Sequence, residues 1–176
     1  MADEKELIQA AKDNAAQNFR AGLNCAESVV QAILDTGTID GLPPEVVALA
    51  TPFGGGMGLS GHTCGALAGM LMAVGAAHGR RYPMAEPDPQ KRQDQLYGNP
   101  GLYRFFNQIP RRFRERFGYL NCREINQGYE DWFAKDRLKR CMKITIEAAG
   151  MAMEYILQGK KEGYAQPFGE NMARKQ

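Results

Sequence analysis

The stretch Thr51–Gly79, TPFGGGMGLSGHTCGALAGMLMAVGAAHG, joins a glycine-rich loop to the longest nearly uninterrupted apolar segment of the chain. That segment, Cys64 to Ala77, is 14 residues long, whereas a helix that spans a membrane needs about 20. Its many glycines and alanines would let the backbones of other helices approach closely. We therefore predict that residues 63–78 form the central core helix of the fold, directly after the glycine-rich loop.

The rest of the chain also has the periodicity of amphipathic helices. In the first segment, residues 2–19, the spacing of the apolar side chains places them on one helical face: Leu7, Ile8, Ala11, Ala15 and Phe19. The other predicted helical segments are residues 25–35, 43–50, 89–97, 102–117, a short helix from residue 122, and one long helix or two abutting helices within 129–157. No alternation typical of strands is longer than a few residues. The sequence therefore predicts an all-α fold, a compact bundle of about six to seven helices.

Length and charge limit the class of protein. A chain of 176 residues is the size of one domain, and we assign residues 1–158 to a single helical domain and the polar residues 159–176 to a mobile or strapped C-terminal tail. The net charge of +2, with 24% charged residues, argues against a nucleic-acid binder and against a polybasic membrane protein. The apolar surface of the aromatic residues and the central helix predicts a homodimer.

The four cysteines of the chain need an explanation other than structural disulfides. The amino-terminal segment MADEKELIQAAKDN is acidic and amphipathic and lacks the regions of an export signal, so we expect a cytoplasmic protein. Structural disulfides are rare in that compartment, which favours metal ligation or thiol redox chemistry for Cys25, Cys64, Cys122 and Cys141. No two of them have C-x-x-C spacing, so the fold would have to assemble any shared site.

Two of the cysteines lie in nearly identical stretches, LNCAE at 23–27 and LNCRE at 120–124. Asparagine is a favoured N-cap, and a glutamate three residues later completes a capping box, so each cysteine would be the first residue of a helix. There the helix dipole and the free N–H groups would lower the thiol pKa. Cys64 also lies at a predicted helix start, after a flexible loop, so we expect it to be the most accessible thiol and the attacking one.

The fourth cysteine, Cys141, is open to two interpretations. Its basic neighbours Lys139, Arg140 and Lys143 would favour a thiolate if the sulfur is exposed. Burial on the apolar face that includes Ile144 would instead make it inert packing.

Residues that precede Cys64 are candidates for binding a cofactor. The backbone N–H groups of Gly54, Gly55 and Gly56 would donate to the sulfurs of a cluster or to an anion. The alternative is a structural loop whose backbone packs tightly against the cysteines. His62 is an alternative ligand or proton donor, although a lone histidine in a loop is more often neither. The match of residues 56–61 to G-x-G-x-x-G lacks the strand and βαβ unit of a dinucleotide site.

Taken together, the cysteine stretches resemble a known family. The chain has NC at Cys25, FGGGMG before TCGALAG at Cys64, LNCRE at Cys122 and a cysteine at Cys141 that opens the final segment. These resemble the C_GCAxxG_C_C family, described as redox-active proteins with four signature cysteines, although CGALAG departs from a literal GCAxxG. The resemblance covers about residues 24–157. It implies a small helical protein whose cysteines converge, and it implies that some relatives carry iron–sulfur or haem groups.

Three functions remain open from the sequence. The leading hypothesis makes the four cysteines catalytic or metal-ligating residues of a redox protein, which hold an iron–sulfur cluster or form a thiol relay with a redox partner that the sequence does not identify. The alternative is a non-catalytic module that binds zinc through the same cysteines. The third is a helical interaction module in which the cysteines only pack.

Overall fold

Six α-helices of nine residues or more form the framework of the computed structural model, which describes residues 3–172. The described range contains no β-strand, which confirms the all-α prediction. Two 3-10 helices, Pro44–Phe53 and Pro83–Ala85, lie in the connections. The α-helices are α1 (Glu4–Arg20), α2 (Cys25–Leu34), α3 (Gly54–Met57), α4 (Gly65–His78), α5 (Pro89–Tyr97), α6 (Leu102–Phe106), α7 (Gln108–Phe117), α8 (Cys122–Ile125) and α9 (Lys135–Glu162).

Helix α4 is the centre of the bundle, as its composition predicts. It packs against α2 and α9, and its first six residues are all buried. Gly69 permits the approach of α2, because a Cβ built at this position would lie 2.7 Å from the carbonyl oxygen of Ala26. None of the helices described is both long and apolar enough to cross a membrane.

Helix α9 supplies the longest wall of the core. Its buried stripe recurs every three or four residues and packs against α1, α2 and α4. Each large aliphatic side chain buried in this way stabilises the fold by roughly 1.5–3 kcal/mol. The stripe includes Cys141, Ile144, Ala148, Ala152 and Ile156.

The C-terminal boundary differs from the prediction, because α9 continues through Gly159 and ends at Glu162. Gly159 does not terminate the helix. A side chain there would lie 2.7 Å from the ring of His78, so the glycine makes room for that ring. The helix stops before Gly163, whose φ of +66° is left-handed.

The described part of the tail is strapped to α6 and α7. The backbone of Gly101 donates to Tyr164, the side chain of Asn107 bonds the backbone of residues 169 and 170, and Arg104 lies over the ring of Phe168. Residues 173–176, assigned to the same tail, and residue 2, assigned to the first helix, lie outside the described residues.

Candidate functional site

The glycine-rich loop forms a tight left-handed turn beneath the cysteines. Residues 55–59 all have positive φ, and the two that are not glycine, Met57 and Leu59, have φ of 65° and 67°. A Cβ at Gly56 would lie 2.6 Å from both the Cβ of Cys122 and the carbonyl oxygen of His62. The loop therefore packs closely against the start of α8.

A short backbone pairing joins the two halves of the chain at the site. Thr63 and Asn121 form an isolated antiparallel bridge. The N–H of Cys64 donates to Leu120 O at 2.8 Å, and the N–H of Cys122 donates to His62 O at 2.7 Å. This pairing places Cys64 and Cys122 beside each other. It is a single bridge, too short to produce an alternation of apolar and polar residues in the sequence.

The two LNC stretches fold differently. The side chain of Asn24 accepts hydrogen bonds from the N–H groups of Ala26 and Glu27. The carboxylate of Glu27 accepts a hydrogen bond from the Asn24 N–H, which confirms the capping box. Asn121 makes no side-chain cap, so the second predicted capping box is wrong. The reason lies in the neighbouring loop, because the N–H of Arg123, which a capping side chain would accept from, donates instead to Gly61 O at 2.9 Å.

All four cysteines line one cavity of about 420 Å³. Cys25 comes from the first turn of α2, Cys64 from the N-cap of α4, Cys122 from the start of α8 and Cys141 from the second turn of α9. Cys25 is partly exposed, whereas the other three are buried. The expectation that Cys64 is the most accessible thiol is therefore wrong, because residues 120–122 cover it.

The remaining wall of the cavity is mostly apolar. Arg137 is the single charged residue among the described residues that line it. The apolar lining side chains are Phe19, Leu23, Leu59, Ile125, Trp132, Leu138 and Ile144. Such a wall excludes water from the sulfurs and strengthens the electrostatic interactions between them.

Arg137 is buried beside Cys141, with only 4% of its surface exposed. Its guanidinium carbon lies 3.7 Å from the centroid of the Trp132 ring, and its Nε donates to the Trp132 carbonyl oxygen. Nη1 donates to Cys141 Sγ at 3.6 Å. Within residues 3–172 no carboxylate pairs with Arg137.

Asn126 connects two of the cysteines. Its Nδ2 donates to Cys122 Sγ at 3.4 Å and to Cys122 O at 2.8 Å, and its Oδ1 lies 3.5 Å from Cys141 Sγ. The sequence analysis missed both Asn126 and Arg137. The available signal was spacing, since Asn126 follows Cys122 by four residues and Arg137 precedes Cys141 by four, and residues four apart share a helical face.

The electrostatics single out Cys141 as the thiol that ionises most readily. Interaction with the Cys25 thiol lowers the pKa of Cys141 to about 7, and the positive charge of Arg137 acts in the same direction. The same interaction and burial raise the pKa of Cys25. The two pKa values are therefore shifted in opposite directions, with the thiolate favoured on Cys141.

The other two thiols are held protonated. Burial raises the pKa of Cys64 to about 11, although backbone N–H groups of Ala66 and Leu67 partly oppose it, and burial also raises the pKa of Cys122. The expectation that helix starts lower these pKa values is wrong, because desolvation of the thiolate outweighs the helix terminus. Cys64 is likewise not the thiol with the lowest pKa.

We expect iodoacetamide to alkylate Cys141 first in the reduced, metal-free protein. Only thiolates react, so with pKa values of about 7 and about 11 the rate at Cys141 should rise through neutral pH while that at Cys64 stays low until strongly alkaline pH. Mass mapping of each cysteine against pH measures this. In the denatured control the pKa of all four thiols should be about 8.5. Faster labelling of Cys64 than of Cys141 would contradict the assignment.

The residues suggested for cofactor binding occupy different positions. Gly54 and Gly55 line the cavity, whereas Gly56 lies beneath Cys122. The carbonyl groups of all three accept bonds from the loop itself. His62 is exposed, and its backbone rather than its ring contacts the cysteine segments.

The placement of the possible ligands bears on whether the cavity could hold a metal. Four thiols have the right chemistry for zinc or an iron–sulfur cluster. As they are placed, no three His, Cys, Asp or Glu side chains in the described part of the chain form a set that could hold a metal ion. The iron–sulfur and zinc assignments therefore stay predictions.

Comparison with known proteins agrees with the cysteine pattern. A family model described as "Putative redox-active protein (C_GCAxxG_C_C)" matches residues 23–155, a range that contains all four cysteines. An uncharacterized protein of Archaeoglobus fulgidus is 28% identical over 156 residues, which is 88% of this chain and 99% of that relative. No solved structure matches the chain.

Proposed function

Because the chain belongs to the C_GCAxxG_C_C family of redox-active proteins, we propose that it catalyses thiol–disulfide exchange, with Cys141 as the attacking thiolate and Cys25 as the resolving thiol. The observation that carries the proposal is the position of Cys25 and Cys141 in the wall of one cavity, where Arg137 Nη1 donates to Cys141 Sγ. Interaction between the two thiols lowers the pKa of Cys141 and raises the pKa of Cys25, so the proton stays on Cys25. A dithiol with one ready nucleophile and one protonated neighbour is the arrangement that exchange requires.

The first step is attack by the Cys141 thiolate on one sulfur of a substrate disulfide. The new bond joins Cys141 to that sulfur, the substrate S–S bond breaks, and the other half leaves as a thiolate. The Cys25 proton passes to the leaving thiolate. This step leaves a mixed disulfide on Cys141 and a thiolate on Cys25.

The second step is attack by Cys25 on the sulfur of Cys141. The mixed disulfide breaks, the second half of the substrate leaves and takes a proton from solvent, and a Cys25–Cys141 disulfide forms. Two electrons have passed from the dithiol to the substrate, which is released as two thiols. An external dithiol reverses the same exchange to restore the reduced protein.

Cys64 and Cys122 have a supporting place in this proposal. Both line the same cavity, and their raised pKa values keep them protonated at neutral pH. They therefore do not compete with Cys141 for the first attack.

We expect the reduced protein to consume 2-hydroxyethyl disulfide under anaerobic conditions and to lose two free thiols per chain. Digestion and mass mapping should then find a Cys25–Cys141 disulfide, because the two thiols line the same cavity and each shifts the pKa of the other. Denatured protein oxidised in the same way is the control for unspecific pairing. A different pairing in the native protein, or no oxidation at all, would overturn the proposal.

The same anaerobic preparation separates the metal alternatives, which rest on four cysteines lining one cavity. An iron–sulfur cluster would absorb visible light, whereas zinc would be colourless and appear only in metal analysis. Stoichiometric metal that blocks alkylation of all four cysteines would replace the exchange proposal with a metal-binding one.

A further inference from the structure

The charge of Arg137 needs an anion inside the cavity. Arg137 is almost completely buried, and no described carboxylate pairs with it. Its Nε and Nη1 donate to Trp132 and Cys141, whereas its Nη2 donates to no described residue. A buried charge is costly unless it is paired, so the available partner in the reduced protein is the Cys141 thiolate.

Disulfide exchange removes that partner. When Cys141 attacks, its sulfur becomes neutral in the mixed disulfide, and the negative charge ends on Cys25, which gives its proton to the leaving half of the substrate. The hydrogen bond of Arg137 Nη1 is to Cys141 and not to Cys25. Arg137 remains buried with a free donor group beside the half that is still attached. An anionic group on this half would restore the pairing at the moment when it is lost.

We propose that the substrates of this cavity are small disulfides with an apolar body and one anionic group on each half, such as a carboxylate, which pairs with Arg137 in the mixed disulfide. The proposal rests on the exchange function given above. A cationic group would meet Arg137 without compensation and should be rejected.

The size and walls of the cavity support a small molecule over a folded protein. Its volume of about 420 Å³ falls within the range of small-ligand pockets, roughly 300–1,000 Å³. Cys141 is only 8% exposed, so the disulfide of a folded partner would not reach it at the surface. The rest of the wall carries apolar side chains, as described above, which suit the body of the substrate and leave Arg137 to recognise the anion.

The test uses three disulfides of similar length that differ in charge: 3,3′-dithiodipropionate, 2-hydroxyethyl disulfide and cystamine. Single-turnover oxidation of the reduced protein is measured at low ionic strength, and each rate is divided by the rate with free 2-mercaptoethanol to remove intrinsic reactivity. We expect the anionic disulfide to exceed the neutral one by about tenfold, the size of one charge-assisted hydrogen bond, and cystamine to be slowest. Equal normalised rates would overturn the proposal while leaving exchange intact.

The variants Arg137→Met and Arg140→Met distinguish a direct ion pair between Arg137 and the substrate anion from the overall positive charge of α9. Arg140 is exposed on the same helix and is the matched control. Arg137→Met should slow all three disulfides by making Cys141 less ionised, and it should also remove the preference for the anion. Arg140→Met should keep the preference. Retention of the preference in Arg137→Met would overturn the proposal.

A binding measurement in the Cys25→Ser variant needs no turnover, because no resolving thiol removes a group attached to Cys141. Cys141 is blocked with a methylthio group by methyl methanethiosulfonate, and the fluorescence of Trp132, the single tryptophan of the chain, follows a titration with propionate. The blocked protein should bind propionate at least about tenfold more tightly than the reduced protein at pH 9, where the thiolate already pairs with Arg137. No difference between the two forms would overturn the anion site, whether or not the protein exchanges disulfides.

Discussion

Cys141→Ser should reduce the rate of disulfide reduction by about a thousandfold or more, because a serine hydroxyl does not ionise near neutral pH and does not attack sulfur. The remaining thiols replace it poorly. At pH 7 a thiol with a pKa of about 7 is half ionised, whereas one with a pKa of about 11 is ionised in about one part in 10,000. Stopped-flow rates with 2-hydroxyethyl disulfide measure the loss, and circular dichroism checks that the variant is folded.

The partner variant Cys25→Ser should stop the reaction halfway. Cys141 is still present to attack, but no resolving thiol follows, so the mixed disulfide should accumulate as a mass adduct on Cys141. The two variants therefore give opposite results for adduct formation. Full activity in Cys141→Ser, or an adduct on Cys64 in Cys25→Ser, would show that the attacking thiol has been assigned to the wrong residue.

Gly56→Ala should destabilise the protein by about 3 kcal/mol or more. This value is the sum of two contributions, the strain of an alanine in a left-handed backbone conformation and the steric clash of its Cβ. The φ of Gly56 is +74°, and the new Cβ would lie 2.6 Å from the Cβ of Cys122 and from the backbone oxygen of His62. Neither neighbour is the flexible end of a long side chain, so neither can move aside cheaply. Urea denaturation of the reduced protein measures the change in free energy of unfolding.

Gly58→Ala is the matched control in the same loop. Its φ of +60° is also left-handed, but the nearest atom to an added Cβ is the Pro52 oxygen at 4.0 Å, an ordinary contact. We expect this variant to lose only the conformational part, about 1–2 kcal/mol. Equal losses in the two variants would mean that the close approach to Cys122 contributes nothing.

Helix positions could be predicted from the sequence because their causes are local. The spacing of apolar residues predicted α1 and α9, and the run of small residues predicted α4 as a core helix. The capping box of Asn24 and Glu27 predicted the start of α2 correctly. The convergence of the four cysteines was not local, and it was implied by resemblance rather than worked out from spacing.

The chemistry of the thiols could not be predicted because its causes are distant in sequence. The pKa of Cys141 is lowered chiefly by Cys25, which belongs to another helix, and the pKa of Cys64 is raised by burial. Position at a helix start is a weaker effect than either. The basic neighbours of Cys141 were a cue in the right direction, since Arg140 contributes to lowering its pKa. Asn121 makes no cap for the same reason, since Gly61 from a distant segment accepts the Arg123 N–H that a cap would use.

The four cysteines that share the cavity come from distant parts of the chain. Cys64 and Cys122 are 58 residues apart, and Cys25 and Cys141 are 116 residues apart. Contacts between residues so far apart in sequence have a large entropic cost of loop closure. Other native contacts must compensate this cost, so the cysteines come together only after the helices have packed. A nascent or unfolded chain therefore presents four ordinary thiols, with pKa values near about 8.5, and the reactive Cys141 exists only in completed molecules.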